Sequence, residues 1–154
     1  MYNKVLVPLD KSKEAEKVLP VIRPELAPEG EVVLLHVIPF FKAERIGEHI
    51  VPGHQLEEAE RSKAMDYLQG LARALAGEMR NCRPEVVTAD SVAEGVTDFA
   101  QRENVDLIAM YTHDRKGLAR LIRGSIAKEV SRRAPIEVQV FKPQELIGAD
   151  SGGL

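Results

Sequence analysis

Three observations predict an α/β protein built on an open five-stranded parallel sheet with helices on both faces. Short apolar runs recur at residues 4–10, 32–38, 85–88, 105–110 and 136–141. Segments with helical spacing separate them, so strand and helix alternate along the whole chain. The run Val-Val-Leu-Leu-His-Val-Ile is nearly continuous in apolar residues, the pattern of a strand covered on both faces.

The first run, Lys4-Val5-Leu6-Val7-Pro8-Leu9-Asp10, ends in Pro and Asp, which stop a strand and open a loop. Ala15, Val18, Leu19, Ile22 and Leu26 then share one helical face, with Ser12 as N-cap and Glu14 in the first turn. Pro20 and Pro24 sit badly there, because proline lacks an N–H and its ring clashes with the preceding turn. A break or kink is expected, with the chain leaving through Pro28-Glu29-Gly30.

After the second strand, periodicity disappears from Pro39 to Gly53, where a long, mobile connection is expected. It returns over residues 56–79, with Leu68, Leu71, Ala72, Leu75 and Met79 on one face of a long helix. Glu57, Glu58, Glu60, Arg61 and Lys63 form its solvated side. Ser91-Val92-Ala93-Glu94 reads as a capping box that starts the next helix. Residues 125–133 form the last helix, and residues 136–141 alternate as an edge strand does. One domain over 1–143 and a flexible tail over 144–154 are expected.

Composition narrows the function. A chain of 154 residues, 44% hydrophobic and 29% charged, buries a real core without disulfides. No apolar run approaches the roughly 20 residues needed to span a bilayer, so no membrane partner is expected. The N-terminus runs straight into a strand pattern with no leader, and the single cysteine, Cys82, excludes an internal disulfide and a cysteine-rich zinc site. Both point to a cytoplasmic location. A net charge of −3 argues against a general nucleic-acid binder. From Asp114 to Arg133, however, Arg115, Lys116, Arg120, Arg123, Lys128, Arg132 and Arg133 face only two acids, Asp114 and Glu129. That local excess attracts an anionic ligand or a protein partner.

Ligands of open α/β sheets bind beyond the carboxyl ends of the strands. That edge carries Pro8-Leu9-Asp10, His36-Val37, Ala89-Asp90 and the residues from Met110 to Asp114. A basic loop follows, and a helix opens at Gly124-Ser125, where free N–H groups and the helix dipole favour an anion. With Thr112-His113-x-Arg115-x-Gly117-Leu118-x-Arg120-x-x-x-Gly124-Ser125 in this setting, the chain resembles the universal stress protein family over nearly its whole domain.

The resemblance implies a strand order of 3-2-1-4-5 and a homodimer formed through the last strand, whose Ile136, Val138 and Val140 give it one apolar face. It also implies a nucleotide site. Family members that bind ATP carry Gly-x-x-Gly, nine residues, then Gly-Ser or Gly-Thr; here Tyr111, Asp114, Gly124 and Ser125 occupy those positions. Asp10 matches the acid that contacts the nucleoside in binding members, and the backbones of Val37 and Met110 match those that face the adenine edge. Pro8, Leu9, His113, Arg115 and Ile126 complete the candidate set.

Glycines let a phosphate loop bring its N–H groups close to phosphate oxygens. Tyr111 puts a ring there instead, and Asp114 a carboxylate. Two like charges about 4 Å apart at an effective dielectric of about 20 repel by roughly 4 kcal/mol, half of the roughly 8 kcal/mol behind a micromolar affinity. Asp90, where the family usually has glycine, adds a second carboxylate to this edge.

The expectation is therefore a non-enzymatic, stress-related regulatory dimer, with no cofactor and with weak or no ATP binding. The alternative is an adenine-nucleotide binder, for ATP, AMP or cAMP, with slow hydrolysis. No catalytic or metal-binding residue is assigned. His113 has no Ser or Cys nucleophile set against it, His49 and His54 meet no zinc spacing, and Ser125 before Lys128 reads as an N-cap. His36 reads as a satisfied core or interface residue.

Overall fold

The computed structural model describes residues 1–112, 125–142 and 146. Five parallel strands form its sheet: β1 (Tyr2–Pro8), β2 (Leu26–Ile38), β5 (Cys82–Thr88), β6 (Leu107–Tyr111) and β7 (Glu137–Phe141). Between β2 and β5 the chain adds a separate antiparallel hairpin, β3 (Glu44–Ile46) with β4 (His49–Val51). The strand order in the sheet is β5-β2-β1-β6-β7. Setting the hairpin aside, this is the expected 3-2-1-4-5 order of an α/β fold, which reverses direction between β1 and β6.

Helices cover both faces. On one side lie α1 (Lys13–Glu16), α2 (Val18–Ile22) and α3 (Gly53–Leu75); on the other lie α4 (Val92–Arg102) and α5 (Ser125–Arg133). The strands divide accordingly. Val5 and Val7 of β1 join Val32, Leu34 and Ile38 of β2 in the first core cluster, whereas Leu6, Val33, Leu35 and Val37 enter the second. Val5, Leu6 and Val7 are all completely buried, because β1 is the central strand and has helices on both sides.

The proline-bearing segment breaks as its residues require. Ser12 Oγ accepts from the Ala15 N–H at 3.2 Å and caps α1, which ends after one turn. Pro20 falls in the first turn of α2, where a missing N–H costs no helical bond, and Pro24 falls in a short 3-10 turn over Arg23–Glu25. Leu26, expected on the helix, instead opens β2, so that Pro28-Glu29-Gly30 lies within this strand. A Cβ on Gly30 would stand 2.9 Å from the carbonyl oxygen of Tyr2, so only glycine fits where β2 passes β1.

Half of the capping box at Ser91 is present: its Oγ accepts from the Glu94 N–H at 3.1 Å, while the Glu94 carboxylate lies 3.7 Å from Arg133 instead of reaching back to the Ser91 N–H. The segment read as a structureless connection is the β3–β4 hairpin, turned at Gly47 with φ +65°, a conformation that primed hairpin turns need at their first central residue. Its register pairs Arg45 with Ile50 and Ile46 with His49, which puts the two isoleucines on opposite faces. Neither face is buried, and Ile46 and Ile50 are exposed, so no alternating pattern marks these strands. Leu146, in the expected tail, is buried in the first core cluster.

Candidate functional site

The reversal of strand order leaves a crevice between β1 and β6 at the carboxyl edge of the sheet, the usual place for a ligand in this architecture. A cavity of about 270 Å³ occupies it. The end of β1 and the turn after it contribute Pro8, Leu9 and Asp10, β2 contributes His36 and Val37, and β6 and its exit contribute Met110, Tyr111 and Thr112. Val92 and Ile126, at the starts of α4 and α5, stand on the cavity wall with 37% and 42% of their surface exposed. Most of the wall is apolar; Asp10, His36, Tyr111 and Thr112 supply its polar side chains.

The turn that presents Asp10 is built within three residues. Asp10 Oδ1 accepts from the Ser12 N–H at 3.0 Å, Lys11 takes a left-handed conformation with φ +72°, and Ser12 starts α1. The chain thereby reverses from strand to helix while the exposed Asp10 stays at the cavity. Val37 is set by a different constraint. A Cβ on Gly95 would approach both its methyl groups to 2.7 and 2.8 Å, so the glycine lets α4 close directly on the end of β2.

Strand alternation splits the β6 residues between the two faces. Met110 packs in the second cluster, while the Tyr111 ring packs against the first, on the side of α1. Behind that side, α3 is tied to the end of β5 by Arg61, which donates to the Val86 carbonyl at 2.8 Å and to Thr88 Oγ1 at 2.7 Å. Thr88 Oγ1 donates in turn to Glu57 at 3.2 Å. Tyr67 of α3 donates to Glu16 of α1 at 2.5 Å; burial first, and then the Glu16 and Asp10 carboxylates, hold its phenol well above the ordinary range.

Seven of the residues predicted from sequence meet at the cavity: Pro8, Leu9, Asp10, Val37, Met110, Tyr111 and Ile126. Ser125 opens α5. His113, Asp114, Arg115 and Gly124 lie outside the described residues. His36, placed by the sequence at this edge but read as a satisfied core or interface residue, is half-buried with Nδ1 2.7 Å from the Leu9 carbonyl oxygen, and it also lines the cavity. Its apolar neighbours in sequence make it look like core, but its position one residue before Val37 at the strand's carboxyl end marks it as an edge residue. Thr112, within the stretch the sequence places at this edge, is buried and lines the cavity, whereas Val92, just past an N-cap, was missed.

Among the described residues no cluster of His, Cys, Asp and Glu could hold a metal ion, and no helix is long and apolar enough to cross a membrane.

Comparison with known proteins places this arrangement. Universal stress protein MJ0531 of Methanocaldococcus jannaschii is 29% identical over 148 residues, covering 92% of this chain and 83% of that protein. The solved structure of MJ0577 superposes with a TM-score of 0.70 at 24% identity over 92% of this chain and 96% of that one. A universal stress protein in complex with cAMP superposes with a TM-score of 0.64 at 16% identity over 92% and 98% of the two chains. At these identities the two structures speak for the fold. Residues 1–142 match the sequence model of the Universal stress protein family. With this fold and a family match that runs from residue 1 to residue 142, the chain belongs to the universal stress protein family.

Proposed function

We propose that this protein is a non-enzymatic regulatory dimer whose cavity takes an adenosine monophosphate, linear or cyclic, in preference to Mg-ATP. The observation that carries the reading is the cavity itself. Its apolar wall, with exposed Val92 and Ile126, suits the faces of a base, and Asp10 is placed to accept from a sugar hydroxyl. Within the family, a protein of the same fold holds cAMP.

Preference for one phosphate over three follows from charge. Tyr111 and Asp114 replace the two glycines of the ATP-binding pattern, and each further phosphate charge raises the repulsion from Asp114. A non-enzymatic role is supported by the lining itself, since among the described residues of the cavity wall there is no Ser or Cys nucleophile for His36 to activate. The dimer is supported by β7, which has β6 as its neighbour on one side and no strand of the described residues on the other.

Calorimetric titration of the purified protein with AMP, cAMP and Mg-ATP tests the reading. Micromolar binding of a monophosphate, with Mg-ATP at least tenfold weaker, is the expected result. Submicromolar binding of Mg-ATP would sink it. In the double variant Tyr111→Gly, Asp114→Gly, affinity for Mg-ATP should rise, because a carboxylate and a ring are removed where the triphosphate must pass; no gain would refute the charge argument.

A further inference from the structure

His36 stands in the cavity wall with its two ring nitrogens in different situations. Nδ1 lies 2.7 Å from the Leu9 carbonyl oxygen. A carbonyl oxygen only accepts, so Nδ1 must carry a proton, and in the neutral ring Nε2 is then an acceptor. Among the described residues the bond to Leu9 is the one hydrogen bond the ring makes.

The ring's side of the sheet is also determined. His36 lies between Leu34 and Ile38 in β2, and both of these belong to the first core cluster, on the side of α1. The Tyr111 ring packs on that same side, whereas Val37 and Met110 turn to the other. A molecule in the crevice therefore has His36 and the Asp10 turn on one flank. Most of the wall is apolar, with Leu9, Ala15 and Leu35 among the lining residues, and an acceptor in such a wall discriminates sharply between ligands that offer it a donor and ligands that do not.

We infer that His36 is a specificity-determining residue that contacts the ligand. Its Nδ1–H holds the corner between Leu9 and Asp10, and its Nε2 accepts a hydrogen bond from a donor on the bound nucleotide. The donor is the exocyclic amine of the base or a hydroxyl of the sugar. The inference rests on the nucleotide reading above.

The test is calorimetric titration of the wild type and of His36→Asn with AMP, inosine monophosphate and 2′-deoxy-AMP. An asparagine amide N–H takes the place of Nδ1–H and keeps the bond to Leu9, while the Nε2 acceptor is lost. In the wild type, one analogue should bind about tenfold more weakly than AMP, the size of one hydrogen bond. In His36→Asn, AMP should weaken about tenfold, and the preference over that analogue should vanish. Loss confined to inosine monophosphate identifies the amine as the donor; loss confined to the deoxynucleotide identifies the hydroxyl.

His36→Gln serves as the complement, and replaces His36→Asn if that variant does not fold. Its longer side chain puts a carbonyl near the Nε2 position and gives up the Leu9 bond, so it should melt at a lower temperature yet keep the preference. An unchanged preference in His36→Asn, or a lost one in His36→Gln, overturns the assignment of His36 and leaves the nucleotide reading standing. If the wild type binds none of the three nucleotides, the assignment of His36 is overturned, and if it binds no cAMP either, the nucleotide reading falls with it.

Discussion

Lys11 adopts φ +72°, a left-handed conformation in which a Cβ crowds the following carbonyl oxygen. The residue is held there because Asp10 on one side bonds to Ser12 on the other. Its ammonium lies 3.7 Å from Glu60, an exposed pair that contributes little. Lys11→Gly should therefore raise unfolding stability by about 0.5–1 kcal/mol, the relief of strain being partly offset by the more flexible unfolded chain. Urea denaturation of the two proteins measures it. Cys82 predicts a pH effect. Burial pushes its thiol up to about 11 from an ordinary 9.0. Between those values the folded state binds more protons than the unfolded one, so stability falls as pH rises through that window and is insensitive to Cys82 below it. Tyr67, also raised, acts in the same direction at higher pH. Cys82→Ala should flatten the decline of the urea midpoint between about pH 9 and 11. At this scale the sequence is easy to misread: His36 and Leu34 look alike within one apolar run and share a face of the sheet, and only nearness to the strand end separates the cavity residue from the core one.

The elements were legible wherever a local signal sets them. Ser12 and Ser91 cap the helices their neighbours predict, and the apolar stripe of Leu68, Leu71, Ala72 and Leu75 lies on α3, packed in the first core cluster. The hairpin escaped because neither of its faces is buried, and burial is what writes alternation into a strand. The early start of β2 escaped because Pro28, Glu29 and Gly30 carry turn chemistry, yet pairing of Tyr2 with Leu26 and of Lys4 with Glu31, around an irregularity in register, draws them into the sheet. Between elements, Arg61 is the residue to remove. It joins α3 to β5 through the Val86 carbonyl and the Thr88 hydroxyl, and its sequence position on the charged side of the helix gives no hint of this. Arg61→Ala should lower stability by about 1.5–3 kcal/mol, the range for hydrogen bonds made by a charged group, and thermal or urea unfolding checks it. An effect below about 0.5 kcal/mol would mean that water replaces both bonds without loss.

For the molecule as a whole, the edge strand makes the sharpest prediction. Val138 and Val140 pack against the second core cluster, so the edge of β7 that no strand of the described residues pairs offers backbone groups rather than these side chains. In the proposed dimer a second copy would satisfy those groups, and light scattering on the protein in solution should give about twice the chain mass of 17.1 kDa. A monomer mass at micromolar concentration would remove the dimer from the proposed function.

By itself the sequence determined the alternation of strand and helix, the number of strands in the main sheet, the helix starts at Ser12, Ser91 and Ser125, and the motif that marks the family. Periodicity and capping are local, set by residues within a few positions of one another. What the tertiary structure decided is the meeting of Asp10, His36, Met110 and Ile126 around one cavity, the turning of the Tyr111 ring toward α1, and the proton on His36 Nδ1. Those depend on which strands lie side by side and on their register, and that pairing joins positions about a hundred residues apart, as Val5 to Leu107 and Leu6 to Ile108.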